Sequence, residues 1–312
     1  MKFPKISFGD EWNNLKKFEN LSDFERSIVF YAENKASMNH FRTLIFELTE
    51  RMNFQICYIT SVKNDPILSS KNKNMLSFYI GEGASRTKFF LTLRAKILVM
   101  DMPDLDTYHI KRSKAYPVHY IYLFHSMFSI HSYLRKEALD NFDTIFCVGP
   151  HHVNEIKATE KLYELKPKKI INYGFGRLDT LLQEKEKFEK SDSNLKDLIL
   201  ITPSYGSENL LEKCGIELID TLLKSNFRVL LRPHFRTLRD SKELIDSIKD
   251  KFGKNPNFTF EDGVIPSEYF HNSICMVSDW SGISMEYAFT FERPIIFIDV
   301  PKKVLNPNSS DI

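Results

Sequence analysis

Arginine, histidine and serine gather where apolar runs of this 312-residue chain give way to polar residues. The run "VLLRPH" ends in Arg232 and His234, with Pro233 fixing the backbone between them. An arginine grips phosphate through two parallel N–H bonds, and a histidine donates to phosphate or moves a proton near neutral pH. The stretch "VSDWSGIS" sets Ser278, Asp279, Ser281, Gly282 and Ser284 between the apolar runs 274–277 and 294–298. A helix start leaves backbone N–H groups unpaired and carries partial positive charge, so small residues there let a phosphate come close. Capping of that helix by Ser278, Asp279 or Ser281 is the competing reading. Asp279 would repel a phosphate directly, and fits better as a ligand of a ribose or base hydroxyl, or as a cap. A third strand end, "LITPSYG", adds Thr202, Ser204 and Gly206.

The first half of the chain offers a different chemistry. In "LFHSMFSIHSYLR", His125 ends an apolar run and is the candidate general base for an acceptor hydroxyl. His131 follows six residues later, a spacing that does not place two metal ligands on one helical face; it is expected to be exposed. His151 and His152 follow Gly149-Pro150 and read as a capping turn. In "YGFGRLD", Arg177 and Asp179 serve a substrate phosphate or form an internal ion pair. Asp101, Asp104 and Asp106 in "MDMPDLD" form a faint DxD pattern, read here as a loop. The chain lacks a Walker A motif, HExxH, GxSxG and any paired-cysteine zinc spacing, so neither metal nor cofactor is expected.

These residues need a frame that brings strand ends together. Strand-like runs at 26–34, 54–61, 76–83, 96–104, 119–127, 143–150 and 168–179 alternate with helical spacing, which predicts a parallel sheet with helices on both faces. The pattern restarts at "LILITPSYG", followed by strand-like runs at 227–234 and 258–262 and the stretch around Ser278. Between the halves, "QEKEKFEKSDSNLKD" (183–197) is charged and nearly free of strand formers, and its middle reads as the linker. The fold class is therefore α/β, with two Rossmann-like domains facing a cleft. Residues 1–185 are expected to form the N-terminal domain and residues 195–312 the C-terminal one. Ligands of such sheets sit outside the carboxyl ends of the strands, where the candidates fall. The chain closes in "IDVPKKVLNPNSSDI", where this architecture ordinarily adds closing helices, so the second domain is expected to be truncated.

Composition narrows the partners. A net charge of +2 with 27% charged residues does not point to nucleic acid. The four cysteines are scattered, and Cys57, Cys147 and Cys275 lie in apolar runs, as reduced core thiols of a cytoplasmic protein do. The opening "MKFPKISFGDEWNNLKKF" has no apolar signal region, and no run approaches the ~20 apolar residues of a membrane span. The expected location is the cytoplasm, at most peripheral to the inner face of the membrane.

With the motifs assembled, residues 120–300 resemble the CDP-glycerol glycerophosphotransferase family, which builds teichoic acids and related surface polymers on a two-domain GT-B scaffold. The matches are "RPH" at 232–234, "SDWSGISMEY" at 278–287, "GFGRLD" at 174–179, and "RPIIFI" after the final helix. The family's HGTP-like place reads His125-Ser126-Met127-Phe128, and its Pro-Thr-containing strand end reads Thr202-Pro203-Ser204-Tyr205. The resemblance implies that His234 and the serines after Asp279 serve the donor's phosphates and that His125 is a candidate base. The implied activity moves a glycerol-phosphate-type group from CDP-glycerol to an acceptor hydroxyl on a glycan or lipid-linked acceptor, with CMP leaving. A GT-B glycosyltransferase using a nucleotide sugar, CMP-sugars included, is the alternative. A nucleotide-sugar-binding or epimerase-like protein without transfer is the second.

Overall fold

The computed structural model describes residues 9–188, 197–263, 265–302, 304–306 and 308. The chain divides into two compact units. One comprises the residues up to Arg177 together with those from Val304 onward, and the other runs from Leu178 to Lys303.

Among the described residues, the first unit holds β1 (Ile28–Ala32), β2 (Ile56–Thr60), β3 (Met75–Tyr79), β4 (Ile97–Met100), β5 (His119–Leu123), β6 (Thr144–Cys147) and β7 (Lys169–Asn172). All pair in parallel, in the order β3-β2-β1-β4-β5-β6-β7. Its helices are α1 (Asp10–Glu19), α2 (Ser37–Phe46), α3 (Ala84–Thr92), α4 (Ile130–Tyr133) and α5 (Pro150–Leu162); α6 (Gly176–Phe188) begins here and runs on into the second unit. Successive strand residues point to opposite faces, and each face has its own core. Val29, Tyr31, Cys57, Ile59, Leu98 and Met100 pack into one, and Phe30, Ala32, Ile56, Tyr58 and Val99 into the other. Burial on both faces is why these strands read as unbroken apolar runs. Each fully buried Ile, Leu or Phe contributes roughly 1.5–3 kcal/mol.

The second unit repeats the plan with β8 (Leu198–Thr202), β9 (Arg228–Leu231), β10 (Phe258–Phe260), β11 (Ser273–Ser278) and β12 (Ile295–Phe297), ordered β10-β9-β8-β11-β12 and all parallel. Helices α7 (Leu210–Lys224), α8 (Phe235–Asp240), α9 (Lys242–Phe252), α10 (Ser267–Asn272) and α11 (Gly282–Phe291) accompany it. Ile199, Ile201, Val229, Leu231 and Val277 face one core, while Leu198, Leu200, Leu230 and Met276 face the other. The strand order reverses between β8 and β11. Ligands of such sheets sit at this kind of switch point, beyond the carboxyl ends of the strands.

Three expectations need amendment. The polar start contains α1, whose buried Leu15 and Phe18 pack on the first core. The start of the charged stretch, residues 183–188, continues α6, because "QEKEKF" is rich in helix formers and lacks proline and glycine; residues 189–196, which hold most of the expected linker, lie outside the described residues. His131 is half-buried rather than exposed: its main-chain carbonyl accepts from the N–H groups of Leu305 and Asn306, and its Nδ1 meets Asn306 Nδ2 at 3.0 Å.

Candidate functional site

In the second unit, parallel pairing brings the predicted donor residues to one sheet edge. Thr202 ends β8, Arg232 and His234 follow β9, and Ser278 to Gly282 lead from β11 into α11. Asp279 is buried, and its carboxylate is occupied. Oδ1 accepts from the Ser204 N–H at 2.6 Å, and Oδ2 accepts from the Leu210 N–H at 2.8 Å. Asp279 thus caps α7, jointly with Asn209, whose side chain accepts from Leu211 and Glu212. Ser278 and Thr202 are both fully buried cross-strand neighbours, and Ser278 Oγ donates to the Thr202 carbonyl at 2.7 Å. Thr202 Oγ1 is sealed from solvent without a hydrogen-bond partner. As the structure stands, the hydroxyls of Ser278 and Thr202 and the carboxylate of Asp279 face the protein interior. They hold the two switch-point loops together.

None of the proposed caps serves α11. Ser281 occupies the position before its first turn, yet among the described residues no side chain caps that helix. Ser284 Oγ turns back to the Ser281 carbonyl at 2.7 Å. The helix start, opened by Gly282, is therefore left to offer its first amides to an anion. Ser204 is buried at the β8 exit, one residue before Tyr205 and two before Gly206, whose φ of +109° suits a residue without Cβ.

Arg232 extends the β9 pairing through its N–H to the Ile201 carbonyl, and its Nε donates to the Gly263 carbonyl at 3.3 Å. Burial pulls this guanidinium below its ordinary pKa, with Glu286 and Glu261 acting against the fall. His234 precedes α8, and its Nδ1 accepts from the Arg236 N–H at 3.2 Å. With Nδ1 accepting, the proton of the neutral ring sits on Nε2.

His125 in the first unit has the opposite arrangement. It follows β5, and its Nδ1 lies 3.0 Å from the Asp101 main-chain carbonyl, with Tyr122 Oη at 3.3 Å. A carbonyl only accepts, so Nδ1 carries the proton and the lone pair is on Nε2. Burial lowers the pKa of His125, partly offset by that carbonyl. Around it stand Tyr133, ring centroids 5.2 Å apart, and His40, 6.0 Å apart. His40 on α2 was missed in the sequence because it sits inside an ordinary helical apolar period. Burial, then His125 and Arg177, hold it neutral with a pKa near about 3. This is where Arg177, in the first turn of α6, exerts its charge.

The remaining histidines secure the loop after His125. His151 Nε2 donates to the Met127 carbonyl at 2.9 Å, and the fully buried His152 donates from Nε2 to Phe128 at 2.8 Å. In the aspartate stretch, Asp101 is buried and accepts from Ser37 Oγ at 3.0 Å, while Asp104 faces the Arg135 guanidinium. Asp104 and Asp106 both take left-handed turn conformations. Among the described residues, no group of three or more His, Cys, Asp or Glu is placed to hold a metal ion. Nor is any helix long and apolar enough to cross a membrane.

Two parallel sheets with polar residues at their carboxyl edges, and an uncapped helix start at one switch point, define a GT-B-like α/β protein. Solved structures share this fold. The wall teichoic acid polymerase TagF soaked with CDPG is 13% identical, covers 92% of this chain and 74% of its own, and superposes with a TM-score of 0.54. The UDP-GlcNAc 2-epimerase of Methanocaldococcus jannaschii with UDP-GlcNAc and UDP is 16% identical, with coverages of 91% and 86% and a TM-score of 0.61. That of Neisseria meningitidis bound to UDP-GlcNAc is 15% identical, with coverages of 91% and 84% and a TM-score of 0.58. No curated protein matches in sequence. The chain belongs to the CDP-glycerol:poly(glycerophosphate) glycerophosphotransferase family, whose model matches residues 17–302. It is accordingly a nucleotide-dependent transferase, with CDP-glycerol as donor and a polymer as acceptor.

Proposed function

We propose that the second unit holds the donor and that His125 of the first unit activates the acceptor, in a reaction of teichoic-acid-type polymer assembly. The observation that carries this reading is the opposite protonation of two strand-end histidines. His125 keeps a lone pair on Nε2, as a base requires, while His234 keeps a proton there, as a phosphate donor requires. The acceptor hydroxyl gives its proton to His125 as its oxygen attacks the phosphorus that bears glycerol. The bond from that phosphorus to the bridging oxygen breaks, and CMP leaves with the electron pair. Arg232, His234 and the amides at Ser281 and Gly282 stabilise the charge that gathers on the phosphates. Arg177, whose charge acts on His40, supplies positive charge for the phosphodiester of the acceptor. Thr202, Ser204, Ser278 and Asp279 set the loops that carry these groups. Within this reading the first unit is the acceptor side and the second unit, Leu178 to Lys303, is the donor side. The acceptor is a lipid-linked chain reached by peripheral association with the cytoplasmic face of a membrane.

The test is acceptor-dependent release of CMP from CDP-glycerol. His125→Ala should lose ~10²–10⁴-fold in turnover while donor affinity holds. His234→Ala should weaken the donor by ~1.5–3 kcal/mol, the scale of a hydrogen bond to a charged group. Unchanged turnover in the His125 variant refutes the assignment, and release of a nucleoside diphosphate from a nucleotide sugar instead of CMP refutes the donor.

A further inference from the structure

His234 sits in an aromatic cluster that the proposed chemistry does not by itself explain. Its ring lies against Tyr205, with centroids 4.5 Å apart and planes tilted by 33°, and against Phe235 with the same spacing and angle. The Arg236 guanidinium lies over the Tyr205 ring, 4.6 Å from its centroid. Arg236 is exposed, and among the described residues it makes no ion pair closer than 4.0 Å, whereas neighbouring Arg239 is paired with Asp240. Two segments build this cluster: Tyr205 comes from the β8 exit, while His234, Phe235 and Arg236 come from the β9 exit. An exposed arginine gains little from an aromatic face, and ordering its long side chain offsets much of that gain. A guanidinium parked this way keeps its five N–H donors on the ring's periphery, directed outward.

We propose that Arg236 is a second phosphate-binding arginine of the donor site, and that Tyr205 positions it and His234 together. The inference rests on the donor-binding role given above to the second unit. The ligand chemistry is a nucleoside phosphate or diphosphate. Arg232 is half-buried and tied to the Gly263 carbonyl, so it grips from within the sheet edge; Arg236 grips from the rim. A diphosphate diester carries two negative charges, which the two guanidinium groups balance while His234 donates between them. The same rim arginine opposes the rise in charge on the leaving nucleotide, because the phosphate of CMP holds one charge more than it did within the diphosphate. Tyr205 is a positioning residue, whose ring lies against both His234 and the Arg236 guanidinium.

Calorimetric titrations of the full chain with CDP-glycerol, CMP and the uncharged nucleoside cytidine test the proposal. Arg236→Ala should weaken CDP-glycerol and CMP about tenfold and leave cytidine affinity within twofold of wild type. The salt dependence of CMP binding should shallow with it. Tyr205→Leu should weaken both phosphates about threefold, and Tyr205→Phe should behave as wild type. Equal losses for cytidine and CMP in Arg236→Ala would overturn the proposal, as would unchanged CMP affinity, or a Tyr205→Phe loss matching that of Tyr205→Leu. Titration with UDP-GlcNAc separates the two levels of the argument. If the wild type prefers UDP-GlcNAc and Arg236→Ala loses affinity for it, CDP-glycerol is the wrong donor and the phosphate subsite stands. If the wild type binds CDP-glycerol and the variant binds it equally well, only the subsite falls.

Discussion

Replacing Asp279 with Asn separates a residue that holds the site from one that touches the ligand. The native carboxylate accepts two backbone N–H bonds, at 2.6 Å from Ser204 and 2.8 Å from Leu210, in a buried setting. An asparagine side chain offers one carbonyl oxygen in place of two carboxylate oxygens. It satisfies one of these donors and turns an NH₂ group toward the other. The loss is one charge-assisted bond plus an unpaired buried N–H, together ~2–3 kcal/mol. At 1.36 kcal/mol per tenfold, that is a ~30–160-fold fall in the protection of the affected amide. Two units in one chain need not unfold as a single two-state system, so amide-resolved hydrogen exchange of Ser204 and Leu210 is the suitable assay. Asp279→Asn should lose this protection at one or both amides and lose donor affinity only as a consequence. Unchanged protection accompanied by weaker donor binding would refute the capping account and return Asp279 to the ribose.

Two further outcomes concern the first unit. If His125 is the base, protonation silences it, so kcat should be flat through neutral pH and fall only below ~6.5, because burial lowers its pKa from the ordinary value; a kcat limb centred above that pH contradicts the assignment. Burial raises the Asp101 carboxyl to about 7, so the folded state holds this proton more tightly than the unfolded chain does. That stabilisation is complete below ~4, the ordinary aspartate range, and is lost as pH rises through about 7. Asp101→Asn, which still accepts from Ser37, should remove this loss between pH 4.5 and 7 in a thermal unfolding series, whereas identical slopes for the two proteins would count against it.

The frame was legible because its central strands are sealed on both faces: "IVFYA", "ICYIT" and "LILIT" carry no alternation that an exposed face would impose. The strand ends were legible for the same reason, as the first polar residues after each seal. What the sequence hid is contact through space. Asp279 finds Ser204 across 75 positions, and nothing local to "SDWSG" distinguishes a cap for its own helix from a cap for α7. His40 comes 85 positions before His125 and lies on a helix whose spacing already accounts for it. Helix α8 was missed because "FRTLRD" has too few apolar residues to show a period, and its start is marked only by the bond from Arg236 to His234.

The return of the chain at Val304 to the first unit makes residues 178–303 an insert within the first unit. Leu305 and Asn306 satisfy the main-chain carbonyl of His131, close to the α4 segment that supplies Tyr133 to the His125 surroundings. A fragment cut at Arg177 would therefore strip the first unit of the segment that bonds His131, and exchange of the second unit between relatives calls for splicing at both crossings. Evolution working on such a chain can replace the whole of residues 178–303 as a cassette while both ends of the recipient stay native.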